Sequence, residues 1–128
     1  MREIKFRAKR KLNGDWVYGS LVRHTDEDLD SIIPEYDGDL IDCDNIRVIT
    51  NTIGQFTGLK DKNGKEIYEG DICWTYEVEV GNLNRVVTFD DGSFVFKHPN
   101  CLRTELRGWK TDYIEVIGNI HEHKHLLK

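Results

Sequence analysis

Along this chain apolar and polar side chains alternate singly far more often than they recur every three or four positions. In "EIKFRAK", residues 3–9, Ile4, Phe6 and Ala8 alternate with Lys5, Arg7 and Lys9, the period of a strand with one buried face. Past Asn13-Gly14 comes "WVYGSLV" (16–22), rich in β-branched and aromatic residues, and the two runs predict a hairpin about a two-residue turn. That turn sets Lys11 opposite Trp16, Lys9 opposite Tyr18, Arg7 opposite Ser20, Phe6 opposite Leu21 and Ala8 opposite Gly19. "IRVITN" (46–51) reads as a strand or a strand-like lead. "EIYEGDICWTYEVEV" (66–80), "RVVTFD" (85–90), "SFVFK" (93–97) and "YIEVIGNI" (113–120) read as further strands, with "DDG" a tight turn between two of them. No stretch sustains a 3.6 period, so helix is expected to be minor. Short strands parted by Gly and Asn turns predict a mainly β fold, either a small barrel or packed sheets, with an N-terminal hairpin and a C-terminal SH3-like set of strands.

The segment "QFTGLKDKNGKEIYEGDI", Gln55 to Ile72, crowds three glycines, three lysines and four carboxylates into one place. Asn63-Gly64 suits a type I′ turn, and Gly70 suits a backbone conformation closed to side chains, with Asp71 accepting nearby amides. Leu59, Ile67 and Ile72 are expected in the core. The segment is read as a turn that launches the central strand, not as a catalytic loop.

Length and composition narrow the field. The chain has 128 residues, 38% of them hydrophobic, which suits one domain, 1–128, divisible into subdomains of about 1–54 and 55–128. The apolar runs fall far short of the roughly 20 residues that span a bilayer, and the opening "MREIKFRAKR" lacks the apolar core of a signal peptide. A cytoplasmic protein with no membrane association is expected. Cys43, Cys73 and Cys101 make an odd, scattered set without a CxxC pair, and reduced thiols are expected. Net charge is -5 but uneven: residues 1–24 carry seven basic and two acidic side chains, whereas residues 25–45 hold nine carboxylates and no basic residue. Residues 25–45, broken by Pro34 and Gly38, read as a loop or a poorly packed short helix. An anionic partner at the basic amino end is therefore not excluded by the overall charge.

Candidate chemistry is sparse. Asp61 and Asn63 imitate the first and third ligands of a calcium loop, but the glycine falls at the fourth place and Ile72 at the twelfth. There is no GxxxxGK[ST] and no GxGxxG. His98 and Cys101 in "HPNC" read as a Pro-containing turn before they read as a nucleophilic pair. His121, His123 and His125, if on a strand, would share one side and converge on a divalent ion as neutral nitrogen ligands; a chain end without groups to orient them makes a functional metal the lesser reading. No cofactor is expected. On the hairpin, Arg7, Lys9, Lys11, Trp16 and Tyr18 form a basic and aromatic side, and such a side holds single-stranded nucleic acid by neutralising phosphates and stacking bases. Against this stands the plainer reading, in which the rings lie under lysine stems and the basic row answers the acidic segment.

The blocks "MREIKFRA" (1–8), "TIGQFTGLKDKNGKEIYEGDI" (52–72), "VVTFDDGSFVF" (86–96) and "IEVIGNIHE" (114–122), in that order, resemble the YopX family of small phage and prophage proteins. The resemblance implies a mainly β fold and a phage or prophage origin, and it supplies no catalytic residue. Function is thus expected to be that of a non-catalytic interaction or structural module, with or without self-association, presenting β surfaces to phage or host proteins. The alternative is a nucleic-acid-binding protein.

Overall fold

The computed structural model describes residues 3–23, 25, 29–34, 46–99 and 101–127, for 101 and 102 the backbone alone. Cys43 and most of the acidic segment lie outside these residues, as does the side chain of Cys101. The chain is mainly β and falls into two compact units, Met1–Phe56 and Thr57–Lys128. Among the described residues ten strands form two five-stranded antiparallel sheets, ordered β3-β2-β1-β4-β5 and β10-β6-β7-β8-β9. Neither sheet closes on itself among these residues, so of the two expected architectures the packed sheets are found and the barrel is not.

In the first unit β1 (Phe6–Lys9) and β2 (Trp16–Val22) form the expected hairpin, and β3 (Ser31–Pro34) adds to β2. Alternation has its usual result: Ala8, Val17, Ile32 and Val48 are fully or almost fully buried, with Phe6, Leu21 and Ile53 packed against them. The hairpin register differs from expectation by two residues, with Arg7 opposite Tyr18 and Lys9 opposite Trp16. A two-residue turn needs positive φ at both Asn13 and Gly14, and of these only Gly14 has it, at 76°. The Asn13 side chain instead accepts the Asp15 N–H at 2.9 Å, and the Gly14 N–H donates to the Arg10 carbonyl. The loop is thereby widened to four residues, and Lys11 leaves the strand for the turn. Strand β3 lies where a loop or helix was expected. It is an edge strand, where Pro34 forfeits no ladder hydrogen bond, and it presses so close that a side chain at Gly19 would overlap the Ile33 carbonyl oxygen.

The second unit holds the end of β4 (Gly54–Lys60), then β5 (Glu66–Tyr68), β6 (Asp71–Glu77), β7 (Gly81–Asp90), β8 (Ser93–His98), β9 (Cys101–Glu105) and β10 (Ile114–Asn119). Asp91 and Gly92, at φ 52° and 82°, make the two-residue turn between β7 and β8. From the edge strand β9 the chain passes through 3-10 turns at Leu106–Gly108 and Thr111–Tyr113 and re-enters as the opposite edge, β10. Ile67, Cys73, Val87, Phe96, Leu106 and Ile114 form the core, each such side chain contributing roughly 1.5–3 kcal/mol by leaving water. Across β7, β8 and β9, Lys97 and Arg103 hold the Asp90 carboxyl below its ordinary value, the Lys97 hydrogen bond being the larger cause.

The charged segment 55–72 holds most of β4, all of β5, the first two residues of β6 and the two turns between them. Asn63 is not in the left-handed region, so the expected type I′ turn is absent; Gly64 alone takes positive φ, 80°. What shapes the turn is Asp61, 5% exposed. Its Oδ1 accepts the N–H groups of Asn63 and Lys65, and its Oδ2 accepts that of Val116 on β10, all at 2.9 Å. Asp71 acts similarly, accepting the Tyr68 N–H at 2.7 Å below Gly70 at φ 92°. Asp61→Ala is expected to lower stability in urea denaturation by about 3 kcal/mol, because three donors lose a charged acceptor in a buried place, and Gly64→Val by about 1 kcal/mol. Lys60→Ala and Lys65→Ala stay within about 0.5 kcal/mol of the parent. Equal losses at Asp61 and Lys65 would mean that charge, and not hydrogen bonding, shapes the turn.

Candidate functional site

The residues singled out on the hairpin do share a face. Arg7 and Lys9 lie directly across from Tyr18 and Trp16, and Lys11 sits in the turn beyond them. Their availability differs from expectation. Arg7 is 6% exposed, with its guanidinium 4.7 Å from the centre of the Trp16 ring, and the Lys9 ammonium is 5.6 Å from the same ring. Trp16 is thus engaged by two cations of its own sheet, each contact worth about 1 kcal/mol. Tyr18, 47% exposed, is the more accessible ring.

The three histidines are not on a strand. β10 ends at Asn119, and a turn and the 3-10 segment Lys124–Leu127 follow. His123 turns back, its Nδ1 accepting the Asn119 N–H at 3.1 Å, and its ring fills the space over Gly118, where any side chain would collide with it. His125 stands with its ring centre 6.2 Å from that of His123. Among the described residues no group of three metal-ligating side chains is placed to hold an ion.

A different place in the second unit has the geometry of a binding site. The end of β6, the tip that follows it, the end of β9 and the segment from 106 to 113 enclose an open groove of about 570 Å³ walled by Tyr76, Val78, Trp109 and Tyr113, with Glu77 and Glu105 on it. The Tyr76 and Tyr113 rings are 5.8 Å apart and tilted at 47°. Trp109 stands edge-on to Phe96 in the core at 5.4 Å and donates its indole N–H to Thr104 Oγ1 at 2.9 Å. Behind it lies Arg85, 2% exposed. Its guanidinium is 4.8 Å from the Trp109 ring centre, its Nη1 donates to Thr75 Oγ1 at 2.6 Å and its Nη2 to Glu77 Oε2 at 3.1 Å. One buried cation therefore fixes two groove residues. The other carboxylate, Glu105, accepts from Arg107 Nε at 2.9 Å, and Arg107 is 86% exposed. Rings, carboxylates and a rigid floor are equipment for holding a ligand.

Sequence reasoning did not find this groove. Its one legible sign is "GWKTDY", two aromatic rings in a polar connection between strands, beside the unusual "EVEV" that leaves Val78 86% exposed.

Open antiparallel sheets with a ring-walled groove at one end of the second sheet define a small, mainly β protein. The sequence matches the family model described as YopX protein over residues 5–128, and the chain belongs to the YopX family. It is similar to protein EF1440 from Enterococcus faecalis, known from a crystal structure, with 26% identity over 100% of both chains and a TM-score of 0.58. No match is found among curated proteins.

Removing the cation behind the groove gives a direct check on this geometry. Arg85→Ala is expected to destabilise the protein by about 3 kcal/mol in urea, since the space of a fully buried side chain is emptied and the buried Thr75 hydroxyl loses a donor, and to shift tryptophan emission to the red. Arg85→Met, which keeps the packing, should lose less. Unchanged emission in both variants would show that Trp109 is held without Arg85.

Proposed function

We propose that this protein is a non-catalytic interaction module of phage or prophage origin, working in the bacterial cytoplasm, and that its second unit binds a phage or host protein through the groove of Tyr76, Val78, Trp109 and Tyr113. The observation that carries the reading is the exposure of Val78, Tyr76 and Tyr113 side by side over a floor fixed by Arg85. Contiguous exposed apolar surface with a polar rim is a mark of interaction sites, and a rigid aromatic wall binds at little entropic loss. Phage origin rests on the YopX resemblance. The non-catalytic reading rests on the buried carboxylates: Asp61 and Asp71 are committed to backbone amides, and Asp30 to Arg23 and Thr50. Affinity capture from lysogen-bearing cells should yield a protein partner that survives nuclease treatment and is lost with Tyr113→Ala, while Lys60→Ala retains it. A partner held equally by Tyr113→Ala overturns the assignment to the groove.

One observation favours the second reading, single-stranded nucleic acid on the hairpin. Arg7 and Lys9 share a face with Trp16 and Tyr18, as such binding requires. On this reading, single-stranded DNA immobilised on a column retains the protein at low salt and releases it steeply as salt rises. Passage through the column at low salt removes the reading.

A further inference from the structure

We infer that the groove of the second unit takes a basic extended peptide, an arginine or lysine side chain lying among the Tyr76, Trp109 and Tyr113 rings with its charge against Glu105. This rests on the groove being the binding surface and adds the chemistry of what it binds.

The rings alone would admit any apolar or flat group. The carboxylates narrow the choice. Glu77 is already neutralised by a cation that is 2% exposed, and nothing a ligand does will remove Arg85 from beneath it. Glu105 differs in this respect. Its partner Arg107 is 86% exposed and only two residues away, a surface pair of the kind worth less than about 1 kcal/mol. A cation arriving in the groove can take the place of Arg107 at little loss, because Arg107 returns to water with its hydration restored.

The alternatives fare worse on physical grounds. An acidic or phosphorylated ligand would set its charge beside the Glu105 carboxylate, and like charges brought together across an interface oppose binding. A purely apolar ligand would strip water from the Glu105–Arg107 pair without supplying a donor in its place, and removing charged groups from water is costly. A guanidinium or ammonium meets both demands. Its charge satisfies the carboxylate, and cations are attracted to the faces of Trp and Tyr, the chemistry of aromatic cages. Lys110, also on the groove, is exposed, and the charge of an exposed side chain is screened by water and salt. Selection within the groove then falls to the carboxylates.

The test uses nitrogen-15 NMR of the full chain with three probes: acetyl-Gly-Arg-Gly-Arg-Gly-amide, the same pentapeptide with Glu for Arg, and an uncharged pentaproline. The arginine peptide is expected to shift the Trp109 indole and the Glu105 and Tyr113 amides in a saturable way, and the glutamate peptide to leave them in place. Glu105→Gln, an exposed change that leaves the core untouched, is expected to weaken the arginine peptide about five-fold, the equivalent of about 1 kcal/mol, while the dispersion of its spectrum confirms folding. Equal shifts with the arginine and glutamate peptides, an unchanged affinity in Glu105→Gln, or no shift up to about 10 mM overturns the inference. Pentaproline moving these resonances where the arginine peptide does not also overturns it, and leaves the groove standing as a binding surface. Loss of the groove itself is read separately, from partner capture that ignores Tyr113→Ala.

Discussion

A carboxylate that leaves water must find its hydrogen bonds inside the protein, and in the second unit Asp61 finds them in two places 55 residues apart. Two of its acceptor sites close the turn between β4 and β5. A third holds the Val116 amide where β10 is irregular, the register shifting between Val116 and Gly118. The neighbouring Lys62 N–H donates to the Ile114 carbonyl at 3.0 Å, and the Lys62 ammonium pairs with Glu115. A hairpin tip that looks like a solvated loop is thus the clamp on an edge strand. The consequence reaches the groove, because Tyr113 directly precedes β10. Where the strand is pinned, the ring is placed.

Arg85 applies the same rule with the opposite charge. Burying a guanidinium is unfavourable unless its donors are met; here Nη1 and Nη2 are met by Thr75 and Glu77, Nε is left without a hydrogen bond, and the guanidinium lies against Trp109. Both partners beyond the core are groove residues. The groove therefore owes its floor to a cation that never reaches solvent, and its rings are held before any ligand arrives. Trp109 is held a second time by Thr104 and by Phe96. Side chains that must be immobilised on binding reduce affinity, and the rings of this groove are already held.

How much of this could be read from the sequence depends on whether the information is periodic. Alternation located β1, β2, β7, β8 and β10, and with them the apolar face of Ala8 and Val17 and the basic face of Arg7 and Lys9. It gave the hairpin register wrongly by two residues, since Asn13 has two uses in a turn, positive φ or a side-chain acceptor, and composition does not say which. Strand β3 escaped notice because "SIIP" is four residues long and ends in proline, and β9, "CLRTE", because it barely alternates. Asp61 was seen as half of a failed calcium loop. Its acceptor oxygens are legible in the sequence, but its donors are backbone amides and leave no mark there. The groove lies at the far end of this scale: Tyr76, Glu105, Trp109 and Tyr113 come from two strand ends and a connection, and only the order of strands brings them together.

Charge shows the same limit. Residues 1–24 look like a cationic patch on paper, seven basic side chains against two acidic. In the first unit much of that charge is spent internally: Arg7 lies buried on Trp16, and Arg23 reaches the fully buried Asp30 at 3.4 Å. A field felt by a partner comes from charges left at the surface, not from their count along the chain. Residues 72–128, with seven basic and eight acidic side chains, look featureless by comparison. Within them, however, Glu105 stands on an aromatic groove with only an exposed, exchangeable partner. A carboxylate beside aromatic rings discriminates between ligands by what meets it there, since a cation gains both the opposite charge and the ring faces while an anion gains neither.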